Sequence, residues 1–242
     1  MFYWLLKHLF MGPLMWLCCR PKVIGTDHIP ATGGAILASN HLAVADSFFL
    51  PLVVRRRVTF LAKREYFTGR GVRGALKRHF FTAAGQVPID RSSASAAQAS
   101  LDTAVRLLAE GKLLGIYPEG TRSPDGRLYK GKTGVARMAL ESGVPVIPVV
   151  MTGTDGVNPI GSTMWRPHPV KVRFGPPLDF SRYAGLAGDR FVERSVVDEI
   201  MYSLMELSGQ DYVDLYAASV KQAEADAVQQ EVEPRAPTLK AS

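Results

Sequence analysis

Short apolar runs punctuate the chain at residues 23–24, 35–38, 58–62, 86–89, 113–117, 146–151 and 170–174. They are too short for helices and rich in Val, Ile and Leu, which predicts buried strands. Between them, stretches 46–54, 65–80, 92–110 and 132–142 read as helices, and 189–207 as a further amphipathic helix. Ser92-Ser93 ahead of the alanine-rich run and Gly111 behind it are start and stop signals for the longest internal helix. Strand and helix alternating at this spacing predict an α/β fold with a mostly parallel central sheet flanked by helices. From about Ala223 the chain is polar, rich in Gln and Glu, and ends in Pro234 and Pro237, which predicts a disordered tail. The pattern divides the chain into an N-terminal segment (1–20), an α/β domain (21–208), and a C-terminal helix fragment with a tail (209–242).

The first segment breaks the alternation. Residues 1–19 include 15 apolar ones, interrupted by Lys7-His8 and Gly12-Pro13, a poor continuous transmembrane span. It lacks a cationic start and a small-residue cleavage site, so it is also a poor signal peptide. Tryptophans at positions 4 and 16, with Arg20 and Lys22 just beyond, predict a helix kinked near Pro13 and lying in a membrane interface. A plain core helix is the other reading.

Composition leaves that outline intact: 242 residues, 47% hydrophobic and 21% charged, enough for one domain with a sizeable core. Charge adds more. Residues 1–100 hold 13 Lys/Arg against 4 Asp/Glu, and nine of those cations fall within 55–78, opposed only by Glu65. Such a block suits nucleic acid or anionic headgroups. The apolar N-terminal segment favours the membrane, and the absence of aromatic-basic interleaving argues against nucleic acid. Cys18 and Cys19 are adjacent and the only cysteines, which predicts no disulfide and a reducing setting.

Two glycine motifs are decoys. The run from Gly126 to Thr133 matches a phosphate loop, but eight residues separate the nearest strand from its first glycine. Gly69-x-Gly71-x-x-Gly74 matches a dinucleotide fingerprint, yet its strand ends near Ala62 and arginines fill two gaps. With no Gly-x-Ser-x-Gly elbow, a serine hydrolase has no nucleophile to build on.

The stretch Asn40-His41-Leu42-Ala43-Val44-Ala45-Asp46 sits where a strand opens into a loop. His41 and Asp46 lie about 140° apart on a straight helix, so they meet only if 41–46 turns. A carboxylate holding one imidazole nitrogen leaves the other as a base toward a hydroxyl. Tyr117-Pro118-Glu119-Gly120-Thr121-Arg122 also ends a strand, and in parallel sheets the carboxyl ends share one edge. His41, Asp46, Glu119 and Arg122 are therefore expected to converge. Arg122 offers a planar fork for phosphate, Gly120 a close backbone approach, and Lys63, at the end of its own strand, a second cation.

Taken together, these blocks resemble the glycerolipid acyltransferase family, typified by 1-acylglycerol-3-phosphate acyltransferases. Asn40-His41…Asp46 resembles its His-x4-Asp motif and Gly85-Gln-Val-Pro-Ile-Asp90-Arg91 its second block, with Pro88 where an aromatic or aliphatic residue is commoner. Glu119-Gly120-Thr121-Arg122 resembles the third, and Val144-Pro145-Val146-Ile147-Pro148-Val149 the fourth. The resemblance implies His41 as general base and Asp46 as its orienting carboxylate. It implies substrate binding by Lys63, Arg91, Glu119, Gly120, Thr121 and Arg122, the cations holding the acceptor's phosphate and Glu119 acting as an orienting acceptor. It calls for no metal or cofactor, only acyl-CoA or acyl-carrier protein as co-substrate, and no covalent intermediate, because a thioester is already activated. The expected reaction is transfer of a fatty acyl group to a lysophospholipid, 1-acylglycerol 3-phosphate, giving phosphatidate at the cytoplasmic face of a membrane bearing anionic lipids. Glycerol 3-phosphate, another lysophospholipid or a glycolipid remain open as acceptors, and a non-catalytic membrane-binding module is the more distant alternative.

Overall fold

In the computed structural model, residues 2–64, 67–83, 85–89, 93–162 and 164–232 are described. The seven apolar runs form strands β1 (Lys22–Ile24), β2 (Ala35–Ser39), β3 (Val58–Lys63), β4 (Gln86–Ile89), β5 (Leu113–Ile116), β7 (Val146–Thr152) and β8 (Lys171–Phe174). Two further two-residue strands, β6 (Leu128–Tyr129) and β9 (Tyr212–Val213), pair in parallel with each other. The main sheet runs β1-β8-β7-β2-β5-β3-β4 and is parallel except between β7 and β8.

Every residue of β2 is buried, and its alternate side chains enter different layers. Ala35 and Leu37 pack with Phe49 and Leu50 of α3 (Asp46–Val53) and Met15 and Cys19 of α2 (Met11–Cys19). Ile36 and Ala38 face the opposite layer of α5 (Ala94–Ala109), α6 (Gly134–Ser142) and α8 (Arg190–Ser208). The periodicity of two along the strand thus builds both cores at once. α5 starts where Ser93 Oγ accepts from the Ala96 amide at 3.2 Å, and α8 where Asp189 accepts from Phe191 and Val192. The short helix α7 (Thr154–Val157) follows β7.

What positions the site is the pairing of β2 with β5, from Ala35↔Leu113 to Ala38↔Ile116. Both strands end on one edge, so Asn40-His41 and Tyr117-Pro118-Glu119 leave it side by side. This is the α/β fold with a mostly parallel, helix-flanked sheet that the strand–helix alternation predicts.

Three local differences have physical causes. The helix expected over 65–80 is α4 (Gly71–Ala83), whose first residue, Gly71, takes φ +71°, a left-handed turn through which the helix cannot extend back; residues 65 and 66 lie outside the described ones. At the N-terminus, α1 (Phe2–Leu5) and α2 are joined by a π-helical turn, Leu6–Phe10, and that turn, not Pro13 itself, carries the irregularity. A proline lacks an amide proton and crowds the carbonyl four residues back, which widens the preceding turn. The disordered tail expected from Ala223 is instead helical to Val232 in α9 (Ala217–Val232), whose Ala, Gln and Glu are good helix formers; residues 233–242 lie outside the described ones. The segment between α8 and α9 folds back onto the domain through β9, crossing the division expected at residue 208. Among the described residues, no helix is long and apolar enough to cross a membrane.

Candidate active site

Asn40 pins the chain where β2 ends. Its side chain accepts from the Met151 amide at 2.8 Å and donates to the Met151 carbonyl at 3.0 Å and to Gln210 Oε1 at 2.9 Å. Turns follow at Ala43→Asp46 and Val44→Ser47, with the amides of 46 and 47 donating back three residues. They swing Asp46 toward the histidine. Asp46 Oδ2 accepts from His41 Nδ1 at 2.8 Å and from the Leu42 and Ala43 amides at 2.7 and 2.9 Å. A carboxylate in such a position can only accept, so Nδ1 carries the proton and Nε2 is left as the basic nitrogen.

The other block closes on the same histidine. Gly120 takes φ +74°, and its amide donates to the Tyr117 carbonyl at 2.9 Å. Glu119 is buried, and both its oxygens are taken: Oε1 by the His41 amide at 3.1 Å, Oε2 by the Tyr129 amide at 3.0 Å. Burial pushes its carboxyl up to about 7, against the opposing pull of those two amides. The Ser123 amide donates to the His41 carbonyl at 2.7 Å, a third tie between the blocks. Tyr117 lies flat on the imidazole, with ring centroids 3.8 Å apart and 10° between planes, and its hydroxyl is 3.0 Å from Ser47 Oγ. Burial raises the pKa of that phenol well above its ordinary value, with Asp46 adding to the rise.

His41, Gly120 and Arg122 stand on the wall of a cavity of about 430 Å³. Away from them the lining is mostly apolar: Phe48 and Leu52 of α3, Phe60 of β3, Ile116, and Met11 and Met15 of α2. The site thus joins a hydrogen-bonded imidazole–carboxylate pair and a guanidinium to an oily recess. Among the described residues, no cluster of three or more His, Cys, Asp or Glu side chains is placed to hold a metal ion.

The structure therefore brings together His41, Asp46, Glu119, Gly120, Thr121 and Arg122. Glu119 faces the two backbone amides and not the cavity. Lys63 ends β3 on the same edge, paired in register with Ile89. Arg91 lies outside the described residues. Motif reading passes over Tyr117, whose only signal is its place directly before the Glu-Gly-Thr-Arg block. It also passes over Asn40 as a brace, and over Lys132 and Lys221 beside the Gly120 turn. Lys221 Nζ donates to the Arg122 carbonyl at 2.5 Å from a helix some 100 residues further on, for which no motif could speak.

An α/β scaffold thus presents a hydrogen-bonded histidine and aspartate beside an arginine-bearing loop, a base and a cation on one cavity wall. The chain belongs to the Acyltransferase family, whose model matches residues 20–152 and so spans all four motif blocks. It is 35% identical over 174 residues to a 1-acyl-sn-glycerol-3-phosphate acyltransferase of Limnanthes douglasii, covering 71% of this chain and 59% of that protein. It is 29% identical over 168 residues to the enzyme of the same name from Bacillus subtilis (strain 168), covering 68% and 77%. In structure it is similar to the 1-acyl-sn-glycerophosphate acyltransferase PlsC of Thermotoga maritima, with a TM-score of 0.61, 26% identity, and 82% and 79% of the two chains covered. The matched region thus spans about three-fifths of the length of the Limnanthes relative.

Proposed function

We propose that this protein is an acyltransferase that moves a fatty acyl group from a thioester, acyl-CoA or acyl-carrier protein, to the free hydroxyl of 1-acylglycerol 3-phosphate. The observation that carries the reading is the 2.8 Å contact between His41 Nδ1 and Asp46 on the wall of an apolar cavity that Arg122 shares. The named relatives act on this acceptor, and the same chemistry fits the site.

His41 Nε2 takes the proton of the acceptor hydroxyl as its oxygen attacks the thioester carbonyl carbon. The carbon–sulfur bond then breaks, and the thiolate leaves with the proton returned from the imidazolium. Asp46 fixes the tautomer and stabilises the positive ring between these two steps. General-base help of this kind is worth about 10²–10⁴ in rate, and holding the two reactants in line supplies more. Arg122, with Lys63 and Arg91 as further cations, holds the acceptor's phosphate. Glu119 acts as a positioning residue, keeping the His41 backbone against the Tyr129 strand, while Gly120 and Thr121 shape the turn that presents Arg122. The apolar recess takes an acyl chain, and the protein works at a membrane surface bearing anionic lipids.

The test is transfer of labelled acyl groups to lysophosphatidate by the full chain. His41→Ala should lower the rate at least 100-fold while leaving thermal unfolding unchanged; a fully active variant ends the reading. Arg122→Ala should weaken transfer to lysophosphatidate more than transfer to an uncharged acceptor. Equal effects on both would mean that the phosphate is not read there.

A further inference from the structure

The turn at Gly120 gathers more positive charge than the Glu-Gly-Thr-Arg block itself supplies. Lys132, from the run that imitates a phosphate loop, lays its side chain over this turn: a Cβ on Gly120 would lie 3.0 Å from Lys132 Cε and 3.2 Å from its Nζ. Its backbone is fixed there by the Lys132 amide donating to the Pro118 carbonyl at 2.8 Å. From α9, Lys221 Nζ reaches the Arg122 carbonyl at 2.5 Å and Thr121 Oγ1 at 3.4 Å. Those two contacts leave at least one of its three ammonium protons unspent. Its pKa is lowered by burial and by the Arg122 charge beside it.

Among the described residues no ion pair closes on any of the three cations, although Glu119 and Glu224 pull on Lys221 at longer range. Neither Arg122 nor Lys132 makes a side-chain hydrogen bond or ion pair among the described residues. Glu119, the carboxylate nearest the turn in sequence, has both oxygens committed to backbone amides. Three like charges held around one turn repel each other and gain from a compact anion between them. Lys132 also lines a recess of about 380 Å³ with Thr133, Tyr216 and Ser219, which differs in its lining from the cavity that Gly120 and Arg122 share with His41.

Building on the acyltransferase reading, we propose that Arg122, Lys132 and Lys221 form a three-cation cradle for a phosphomonoester dianion, which Lys132 and Lys221 make the site prefer over a phosphodiester. A monoester carries close to two negative charges at neutral pH, and a diester only one. The monoester could belong to the acceptor lipid or be the 3′-phosphate of coenzyme A. Because Gly120 and Arg122 line the cavity that holds His41, the acceptor is the source expected. Lys221, tied to the Arg122 backbone, is a positioning residue as well as a ligand. This makes α9 part of the working site.

Full-length Lys132→Met, Lys221→Met and Lys221→Arg decide the matter. In each Met variant, KM for lysophosphatidate should rise about tenfold with kcat within about twofold and KM for acyl-CoA unchanged. The rate ratio of lysophosphatidate to lysophosphatidylglycerol should fall by a similar factor, and Lys221→Arg should restore both. A purely structural role for Lys221 would lower kcat and thermal stability and spare the ratio, and that result counts against the cradle. A rise in KM for acyl-CoA that disappears with dephospho-CoA thioesters would support the cradle and assign the dianion to the donor. As a measure independent of turnover, the stabilisation of wild type by sn-glycerol 3-phosphate in a thermal-shift titration should need about tenfold more ligand in the Met variants. Unmoved KM values and an unmoved titration overturn the cradle. Wild type that binds glycerol 3-phosphate through these lysines yet transfers no acyl group would instead overturn the acyltransferase reading.

Discussion

Asp46 is wholly buried, yet one oxygen does all its accepting: Oδ2 takes three donors, while Oδ1 has no hydrogen-bond partner. Asp46→Asn separates its two tasks. The amide oxygen can still accept from Leu42 and Ala43, so the 41–46 turn survives, but the negative charge facing the imidazole is gone. The expected result is a folded protein slowed by about 10²–10⁴, checked by kcat beside a circular dichroism melt. Asp46→Ala removes the acceptor of all three donors and should also lose stability, each orphaned buried donor costing about 1–3 kcal/mol. Glu119 gives a pH test. Burial raises its carboxyl to about 7 from an ordinary 4.5, so the folded state holds the proton more tightly than the unfolded chain. The stability tied to this group is therefore fully present below pH 4.5 and lost as pH climbs through 7. Measured by urea unfolding, wild type relative to Glu119→Gln should weaken from pH 4.5 to 8 by on the order of 3 kcal/mol. A flat or rising difference would refute that account of the carboxyl.

At the scale of elements, β5 shapes the cavity through a missing side chain. A Cβ on Gly115 would come within 2.5 Å of Phe60 Cε1 and 2.7 Å of its Cζ, and both residues line the cavity. Gly115→Ala must therefore shift the Phe60 ring, which also stacks on Tyr117 at 5.9 Å. Each methylene that loses its apolar surroundings costs about 0.8 kcal/mol, or roughly fourfold in kcat/KM. The variant should move donor preference toward shorter acyl chains, read from a series of acyl-CoA lengths; an unchanged profile would show that the chain lies elsewhere. The strands were legible because each is a short apolar run, buried throughout in β2 though partly exposed at the sheet edges, and β4 falls where the pattern places it, at Gln86–Ile89. The meeting of residues 41 and 119 follows from strand ends sharing an edge. The partners of Glu119 were not legible, because they are backbone amides, which every sequence contains. Nor were β6 and β9, two residues each and held by a pairing between chain segments some 80 residues apart. The polar composition beyond residue 209 reads as tail, yet Lys130 pairs with Asp214 at 2.8 Å and Gln210 bonds Asn40, contacts that only the folded domain can specify.

Across the whole molecule, one surface combines the cavity with an apolar exterior. The N-terminal helices are fastened to the domain by buried Lys7 donating to the Val54 carbonyl and by the Tyr3 hydroxyl accepting from the Val58 amide at 3.4 Å. α2 turns Met11 and Met15 into the cavity and exposes Leu14, Leu17 and Trp16, with Leu14 59% and Leu17 76% accessible. α4 likewise exposes Val72 and Leu76 on a helix carrying Arg73, Lys77 and Arg78. The basic block is not uniformly available for lipid: Arg56 is spent on the carbonyls of Pro30, Gly33 and Gly111 at 2.6–2.7 Å, and Arg57 lies over the Tyr3 ring. A helix that lines the cavity with one face and shows leucines on the other suits a lipid surface, since an acyl chain leaving the bilayer would pass from one apolar environment to the next. Burying an exposed leucine is worth about 1.5–3 kcal/mol, so two such residues account for a large share of an interfacial affinity. Leu14→Ser with Leu17→Ser should therefore lower sedimentation with phosphatidylglycerol-containing vesicles at least tenfold without shifting the melting temperature, because neither side chain belongs to the core. Raised salt should weaken wild-type binding only in part, screening the arginines and leaving the apolar term. Binding that vanishes in salt, or that survives loss of both leucines, would assign membrane attachment to charge alone and take the N-terminal helices out of it.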